Sequence, residues 1–517
     1  MNALDLGGVI REGKPATRRH RLLITFLAFA LNAVALAAGE KFDFEVLRAR
    51  AQALASSPRV LPQGQVPEWL RQLSYDDLRL IEFDGRHSLG FREKLPFQVQ
   101  FLHPGFLFDK TVHLFEVRGG VAEPVPFRRE FFNYRTAKTG AVPETMGFAG
   151  FRLMFPFDGP GTGHKEIGSF AGASYFRFLS RGAAYGLSAR GLALNTAEPT
   201  PEEFPFFTNF WLDQGGTNAR QMRVYALLES ESATGAYQFT VSPEAHLVVQ
   251  VKAVIYCRKN PKVFGLAPLT SMFWHGENSD VARDFRPEVH DSDGLLLHTG
   301  SGEWIWRPLV NPRHLRVSAF SDENPRAFAL LQRDRNFENY QDLEASYHSR
   351  PSAWVEPVGN WGRGSVRLVE IPTDKEIDDN VVAFWVPEKL PPPGEPIELE
   401  YRLHWFLDDM GPPAGFARST RHGRSAVYEP GFERFVIDFD GQQLQALKGD
   451  AAIEHSVTVG AGGVLHHSSL QKNAINGTWR VAFTVKPDGS GRPIELRCFL
   501  RRAGASLTET WSYLWQP

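Results

Sequence analysis

The run AHLVVQVKAVIYC at residues 245–257 decides the fold class. Apolar and polar side chains alternate through its centre, which is the spacing of a β-strand with one buried face. Similar short runs recur along the chain, each bounded by Gly, Pro, Asp or Asn: FQVQFLHP (97–104), TVHLFEV (111–117) and RFVIDFD (434–440). Runs of this length and spacing predict antiparallel β-structure of the sandwich type. We therefore expect an all-β fold.

Helical spacing is confined to two segments near the N-terminus. FDFEVLRARAQALA (42–55) predicts one helix, and VPEWLRQLSYDDLRLI (66–81) predicts two short helical turns. Beyond these segments the pattern returns to short alternating runs, so helices should form only a minor part of the structure.

The length of 517 residues is too great for one ordinary core and predicts two or three domains. The segment VPEKLPPPGEP (386–396) cannot continue a β-ladder, because its prolines lack N–H donors, and it favours a stiff connector. We therefore place a large N-terminal β-sandwich at 38–387, a proline-rich linker at 388–396 and a small immunoglobulin-like β-sandwich at 397–517.

Composition narrows the class of protein. Two cysteines, Cys257 and Cys498, cannot build a disulfide framework, and we expect both to be buried thiols in different domains. The formal net charge of −2 argues against a surface that coats nucleic acid. Phosphate-loop, calcium-loop and metal-ligand spacings are absent from the sequence, so we expect no metal or cofactor.

Residues 1–37 have the anatomy of an export signal. Arg18 and Arg19 precede the apolar run at 22–36, and small residues follow it as a cleavage site, so the mature chain should begin near Ala38. The apolar run is too short for a stable membrane span. The arginine pair also fits a twin-arginine signal, and both export routes stay open. We expect a periplasmic or secreted protein.

Two acidic clusters are candidates for catalytic chemistry. RPEVHDSDG at 286–294 contains Glu288, His290, Asp291 and Asp293. EIPTDKEIDDNVVAFW at 370–385 contains Glu376, Asp378 and Asp379. Carboxyl groups this close raise one another's pKa, as a general acid near neutral pH requires. A solvated acidic turn explains the second cluster equally well, and in the first cluster Asp293-Gly294 is a hairpin signal that by itself favours a plain turn.

Aromatic residues follow the first cluster and precede the second. They include Trp304, Trp306, Tyr340, Tyr347 and Trp354. Trp and Tyr rings beside carboxylates, on an exported β-sandwich, are typical of proteins that bind and cleave carbohydrate. Core packing explains many of these rings equally well.

Long stretches of the chain resemble the periplasmic glucan biosynthesis proteins G and D. The stretches are FDFEVLRARAQALA, LRLIEFDG, FFNYR, FRPEVHDSDG, HTGSGEWIWRPL, SYHSRPSAWVEP and IPTDKEIDDNVVAFW, together with the proline-rich segment. The resemblance covers nearly the whole mature chain, and the arginine pair slightly favours the D branch. It implies a galactose-mutarotase-like N-terminal sandwich, an immunoglobulin-like C-terminal domain and a glycoside hydrolase that acts on β-1,2-glucan with inversion.

Carried over residue by residue, the resemblance implies that Asp379 is the general acid and Asp291 the general base. Glu376 and Tyr347 match neighbouring site residues. We add four supporting or substrate-binding candidates from the same segments: His290, Trp304, Trp306 and Trp354. We further expect Asp293-Gly294 to form a turn that presents Asp291.

Two classes of function stay open. The first is a β-1,2-glucan-cleaving or glucan-transferring enzyme, as an endo-hydrolase or a transglycosylase that includes a cyclising one. The second is a non-catalytic factor that binds glucan and guides assembly of its backbone. In both, the partner is the polysaccharide and not nucleic acid, and a homodimer stays open as the assembly state.

Overall fold

The computed structural model describes residues 39–59, 66–135, 140–159, 161–280, 284–408, 410–412, 414–424 and 431–517. The predicted export signal at 1–37 and the predicted mature start at Ala38 lie outside these residues. Within the described ranges, no helix has both the length and the apolar character needed to cross a membrane.

The α-helices of the described residues are short, apart from the first. They are α1 (Phe44–Ala55), α2 (Glu68–Arg71), α3 (Tyr75–Arg79), α4 (Phe337–Tyr340) and α5 (Gln442–Gln445). Helix α1 begins after Asp43, whose carboxylate accepts the N–H of Val46 at 2.8 Å. A capping box between Ser74 and Asp77 starts α3. Both N-terminal helix predictions are confirmed.

Strands make up nearly half of the described chain. The strands of its first half are β1 (Glu40–Lys41), β2 (Ile81–Phe83), β3 (Gln98–Leu102), β4 (His113–Arg118), β5 (Val121–Pro124), β6 (Phe132–Tyr134), β7 (Gly150–Phe155), β8 (Lys165–Ala171), β9 (Tyr175–Phe178), β10 (Ser188–Arg190), β11 (Ala193–Leu194), β12 (Phe206–Asp213), β13 (Met222–Glu229), β14 (Ala233–Pro243) and β15 (Leu247–Cys257). The next are β16 (Phe264–Ser271), β17 (Phe273–His275), β18 (Val289–His290), β19 (Gly294–His298), β20 (Trp304–Pro308), β21 (Arg316–Glu323), β22 (Ala327–Leu331), β23 (Ser352–Pro357), β24 (Arg363–Glu370), β25 (Val381–Pro387) and β26 (Pro396–Phe406). The last are β27 (Phe416–Arg424), β28 (Glu433–Asp440), β29 (Glu454–Val459), β30 (Gly463–Lys472), β31 (Trp479–Pro487), β32 (Ile494–Arg502), β33 (Ala505–Ser506) and β34 (Thr510–Trp515).

Two large sheets form the main sandwich. The first runs in the order β1-β5-β4-β12-β13-β14-β15-β26-β23-β22-β19-β20-β34-β32-β29, and the second in the order β21-β24-β25-β16-β10-β9-β8-β7-β3. Their inner faces share one apolar core, in which Phe170 of the second sheet meets Phe239 of the first edge-on at 5.1 Å. The all-β prediction is confirmed, and the run at 245–257 is the central strand β15, paired along its length with β14 and β26.

Helix α1 covers part of the outer face of the first sheet. Its buried residues Leu47 and Ala51 belong to a small core with Trp211 and Tyr256. This face therefore loses its exposure to solvent, and the helix adds to the stability of the strands that it covers.

The proline-rich segment differs from the expected linker. Strand β26 pairs with β15 and β23 in the first sheet, and β25 belongs to the second, so this segment crosses between the sheets of the large sandwich. The placement of the linker at 388–396 is therefore corrected. The sequence could not reveal this, because strand pairing is non-local. The division into a large and a small sandwich stays a prediction, with the junction now after Phe406.

The C-terminal strands form a second core against the outer face of the first sheet. Strands β27-β28-β31-β30 make a separate sheet, while β34 pairs in parallel with β20 and extends the first. Cys498 lies in this second core and Cys257 in the main one, and both thiols are free and buried. The prediction of two buried cysteines is confirmed.

Candidate active site

The predicted base Asp291 follows a two-stranded ribbon that stands apart from the large sheets. Strand β17 pairs with β18, and the N–H of Asp291 then donates to the carbonyl of Met272 at 2.8 Å. The side chain is buried and accepts a hydrogen bond from the guanidinium of Arg350. The ribbon therefore fixes the carboxylate at a defined point beside the second sheet.

The predicted acid Asp379 lies at the end of the segment between β24 and β25, which we call the acid loop (371–380). Its neighbour Asn380 is buried and fastens this loop to β17. The Asn380 side chain accepts from Phe273 N at 2.8 Å and donates to the carbonyls of Phe273 and Ile371, each at 3.0 Å. Asp379 itself is about one-third exposed, at 36%, so it remains open to a substrate.

Arg177 stands beside Asp379. It extends from β9, with Nη2 3.9 Å from an Asp379 carboxylate oxygen, and its Nε donates to Ser188 of the neighbouring β10 at 2.6 Å. Arg177 also lowers the pKa of Asp291, while Asp379 raises it. The two predicted catalytic carboxyl groups thus lie within electrostatic reach of each other and of one shared cation.

A chain of contacts joins the other carried-over residues. The Arg350 guanidinium lies 4.1 Å from the centroid of the Tyr347 ring, and the Tyr347 hydroxyl donates to Glu376. The structure thus brings Asp291, Tyr347 and Glu376 together through Arg350, which sequence reasoning did not single out. Arg350 lies within the stretch SYHSRPSAWVEP, but nothing in that stretch indicates its contact with Asp291.

The environments of these groups differ. Burial raises the pKa of Asp291, and the Arg350 guanidinium opposes that effect without cancelling it. Hydrogen bonds from Arg286 and Tyr347 hold the pKa of Glu376 below its ordinary value. Burial raises the pKa of the Tyr347 phenol, which therefore stays protonated and donates. Carboxyl groups with such different settings can take different roles.

The imidazole ring of His290 is buried and is held by hydrogen bonds to neighbouring side chains. Gln332 Nε2 donates to the carbonyls of His290 and Tyr347, at 2.8 and 3.3 Å, so its Oε1 must accept from His290 Nδ1 at 2.8 Å. His290 Nε2 faces a Glu288 oxygen at 2.8 Å. Both ring nitrogens therefore donate, and the ring is an imidazolium. Burial lowers the pKa of His290, but Asp293, Glu288 and Asp334 outweigh it and raise the pKa to about 9.

Among the residues that the structure describes, two groups of side chains are close enough to be considered for a metal. They are Glu288, His290 and Asp293, and Glu277, Glu288 and Asp334. His290 has no free lone pair in the state just described, so the first set lacks its nitrogen ligand. In the second set, Glu277 already accepts from Thr420 N and pairs with Arg421 at 2.7 Å. Burial raises the pKa of Glu277 to about 7 and that of Asp334 to about 8. The donor sets fit a proton-sharing network better than a cation.

The Asp293-Gly294 pair does not form the expected hairpin turn. The Asp293 carboxylate accepts the backbone N–H groups of Arg333 and Asp334, and Gly294 begins β19 without a positive φ. A Cβ at Gly294 would collide with the Trp306 ring. The glycine therefore permits close packing, and the chain passes directly from the ribbon into the first sheet. The turn prediction was wrong because both uses of glycine look alike in sequence.

The three tryptophans that were predicted as site residues lie outside the candidate site. Trp304 and Trp306 on β20 and Trp354 on β23 belong to the core under the C-terminal strands, with Trp304 and Trp354 5.8 Å apart. Trp306 is 3% exposed, and the Arg333 guanidinium lies 3.6 Å from its centroid. The structure does not bring these rings together with Asp291 and Asp379. Their positions favour the packing alternative.

The chain is similar to known proteins along nearly its whole length. Residues 42–515 match a family model described as periplasmic glucan biosynthesis protein, MdoG. Glucans biosynthesis protein G of Ralstonia nicotianae is 45% identical over 507 residues, which cover 96% of this chain and 100% of the relative. The probable glucans biosynthesis protein D of Shewanella oneidensis is 42% identical over 506 residues, covering 96% of this chain and 93% of the relative.

A third relative extends the pattern. Glucans biosynthesis protein G of Sodalis glossinidius is 43% identical over 486 residues, covering 92% of this chain and 93% of the relative. Relatives named G and D thus align along nearly the whole chain at similar identity. The family resemblance expected from the sequence is confirmed, and the chain belongs to the family of periplasmic glucan biosynthesis proteins.

Proposed function

We propose that this protein cleaves β-1,2-glucan with inversion, with Asp379 as general acid and Asp291 as general base. One observation carries the proposal. A partly exposed carboxyl group and a buried one, from separate segments, lie within electrostatic reach of each other beside Arg177. Glycoside cleavage is usually catalysed by two carboxyl groups that lie in contrasting environments.

In the proposed reaction, Asp379 gives its proton to the glycosidic oxygen as the bond from that oxygen to the anomeric carbon breaks. A water oxygen attacks the same carbon from the opposite face, and its proton passes to Asp291, directly or through a relay. The product is a free sugar end with inverted configuration. A sugar hydroxyl in place of water would give transfer, and an acceptor on the same chain would give a cyclic glucan.

The setting of Asp291 suits a base. The Arg350 cation favours its ionised form, while burial keeps the pKa above the ordinary value and so closer to a neutral working pH. Asp379, one-third exposed at the edge of the acid loop, can meet an incoming glycosidic oxygen. We place this activity in the periplasm, on the strength of the predicted export signal and the family description.

A second candidate is a glucan-binding assembly factor without catalysis. The observation in its favour is that the relatives are named for glucan biosynthesis and not for hydrolysis. On this alternative, the same carboxylates would accept hydrogen bonds from sugar hydroxyls.

The deciding experiment incubates mature protein with linear β-1,2-glucan and follows product size and anomeric configuration by proton NMR. Shorter or cyclic products with inverted ends support the enzyme. Tight binding of the polymer without bond cleavage, under conditions where the protein is folded, supports the assembly factor and contradicts the enzyme.

A further inference from the structure

Arg286 lies where three segments of the site meet. It belongs to the segment that leads into β18 and Asp291, and its guanidinium reaches Asp342, in the stretch before Tyr347, and Glu376 in the acid loop. The side chain is 11% exposed. No feature of the sequence singled it out, because its partners lie far apart along the chain.

The guanidinium has no donor to spare. Its Nε donates to Asp284 at 3.0 Å, and Nη2 donates to Asp284 at 2.9 Å and Glu376 at 2.8 Å. Nη1 donates to Asp342 at 2.9 Å and to the other Glu376 oxygen at 2.8 Å. A guanidinium has five N–H groups, and each has its own acceptor here. Arg286 therefore does not bind substrate and can act only through its partners.

The partners are themselves fixed to the site. Asp342 uses its second oxygen to accept the N–H groups of Glu344 and Ala345, at 2.8 and 2.7 Å, which shapes the turn before Tyr347. Glu376 also accepts from the Tyr347 hydroxyl. Asp284 accepts the N–H of Arg286 at 2.9 Å, which holds the segment before β18. Displacement of the guanidinium would break its hydrogen bonds to Asp284, Asp342 and Glu376 together.

We propose that Arg286 is a positioning residue that fixes the separation of Asp379 from Asp291. This inference rests on the proposed function. The guanidinium fastens the acid loop at Glu376, three residues before the acid, to the segment that carries the base. Inverting glycosidases need about 6.5–9.5 Å between the two carboxyl groups to admit the water. A lysine cannot make the same set of bonds, because it has three donors on one point and not a planar fork.

The test compares Arg286→Lys and Arg286→Met with wild type on two substrates. One is linear β-1,2-glucan, and the other is a short β-1,2-glucan with a nitrophenyl leaving group, which needs little protonation. Arg181→Lys is the matched control, since this arginine is 58% exposed and pairs with Asp158. We expect kcat on the linear glucan to fall about 10–100-fold with KM nearly unchanged, because small displacements of a catalytic group have effects of this size. The nitrophenyl substrate should recover most of the loss, and the control should match wild type.

Hydrogen exchange gives a second readout that does not depend on activity. In both Arg286 variants the amides of the acid loop should exchange faster, while β14 and β15 keep their protection. Full kcat in Arg286→Lys on the linear glucan overturns the inference. So does an equal loss on both substrates, or loss of protection throughout the sheets, because either indicates a general structural role. If wild type cleaves neither substrate, the proposed function fails, and exchange at the acid loop alone then decides whether Arg286 holds it.

Discussion

Arg350 donates a hydrogen bond to the buried carboxylate of Asp291 and so places a cation against the candidate base. The same guanidinium rests on the ring of Tyr347, whose hydroxyl reaches Glu376. The candidate base is therefore held by a residue that is also packed against the link to the acid loop. Changes at Arg350 should alter both the position and the ionisation of Asp291.

Replacement of Arg350 by methionine should lower kcat about 10–100-fold through displacement of the base. It should also move the acidic limb of the kcat/KM profile to higher pH. The sign follows because Arg350 lowers the pKa of Asp291, so its loss raises that pKa, and the base must be ionised to act. A pH–rate series on β-1,2-glucan measures both effects. An unchanged acidic limb would exclude Asp291 as the group that controls it.

Asp379→Asn removes the transferable proton while keeping the shape of the side chain. We expect kcat to fall about 10²–10⁴-fold, as is typical for lost acid catalysis, with glucan binding largely kept. Asp291→Asn should show a similar loss, but only the Asp379 variant should recover with an activated leaving group. Asp378→Asn is the control, because this exposed neighbour contacts only Thr373 Oγ1, at 2.8 Å, among the side-chain hydrogen bonds of the described residues. Near-normal activity of both test variants would refute the assignment.

The stability of the protein should fall as the pH rises from about 6.5 to 9. The folded-state pKa of His290 is raised to about 9, so the stability it contributes is complete below its ordinary value near 6.5 and is lost through pH 9. The size is roughly 3 kcal/mol, at about 1.4 kcal/mol for each pKa unit. Urea unfolding at pH 6, 7.5 and 9 measures the slope. His290→Gln should reduce the slope but leave the part that comes from Glu277 and Asp334, whose pKa values are raised to about 7 and about 8. The exposed His314→Gln should leave the slope unchanged.

Asp293→Asn should destabilise the fold by about 1–3 kcal/mol, because an acceptor that is only 14% exposed and also faces an imidazolium loses its charge. The Asp293 carboxylate lies 3.4 Å from His290 Nδ1 and accepts two backbone N–H groups. A surface turn, as the sequence suggested, would tolerate asparagine at little cost. Thermal unfolding of this variant beside Asp374→Asn, in the exposed part of the acid loop, separates the two accounts. Equal melting temperatures would favour the turn.

Export provides a prediction that is independent of the site. The mature N-terminus should lie near Ala38, as N-terminal sequencing of protein from the cell envelope would show. Lysines in place of Arg18 and Arg19 should block export if the twin-arginine route is used and hardly affect it otherwise. Recovery of an uncleaved chain in the cytoplasm of normal cells would contradict the signal assignment.

The features that sequence predicted were those encoded locally. The alternation at 245–257 marked β15, and the spacing at 42–55 marked α1, because periodicity reflects which face is buried. The chain connections that failed depended on distant partners. Nothing in the proline-rich segment could indicate that Pro396–Phe406 would pair with β15 in the first sheet.

The residues of the candidate site show the same difference between what the sequence predicted and what depended on folding. Family resemblance supplied Asp291, Glu376, Tyr347 and Asp379, which the structure brings together. The residues that connect them were missed, since an arginine or glutamine gains its role from neighbours that meet only after folding. Those residues are Arg177, Arg286, Gln332, Arg350 and Asn380. The three tryptophans were predicted as site residues because such rings are typical of sugar-binding sites. In the folded chain they pack in a core.

The parallel pairing of β20 with β34 has an evolutionary consequence. A fragment that ended after Phe406 would leave β20 as a bare strand edge beside uncovered tryptophan rings, which invites association with other chains. The C-terminal unit therefore cannot be exchanged by recombination as a freestanding module. Any replacement must bring its own edge-completing strand and a matching apolar surface, so the two units are expected to be inherited together.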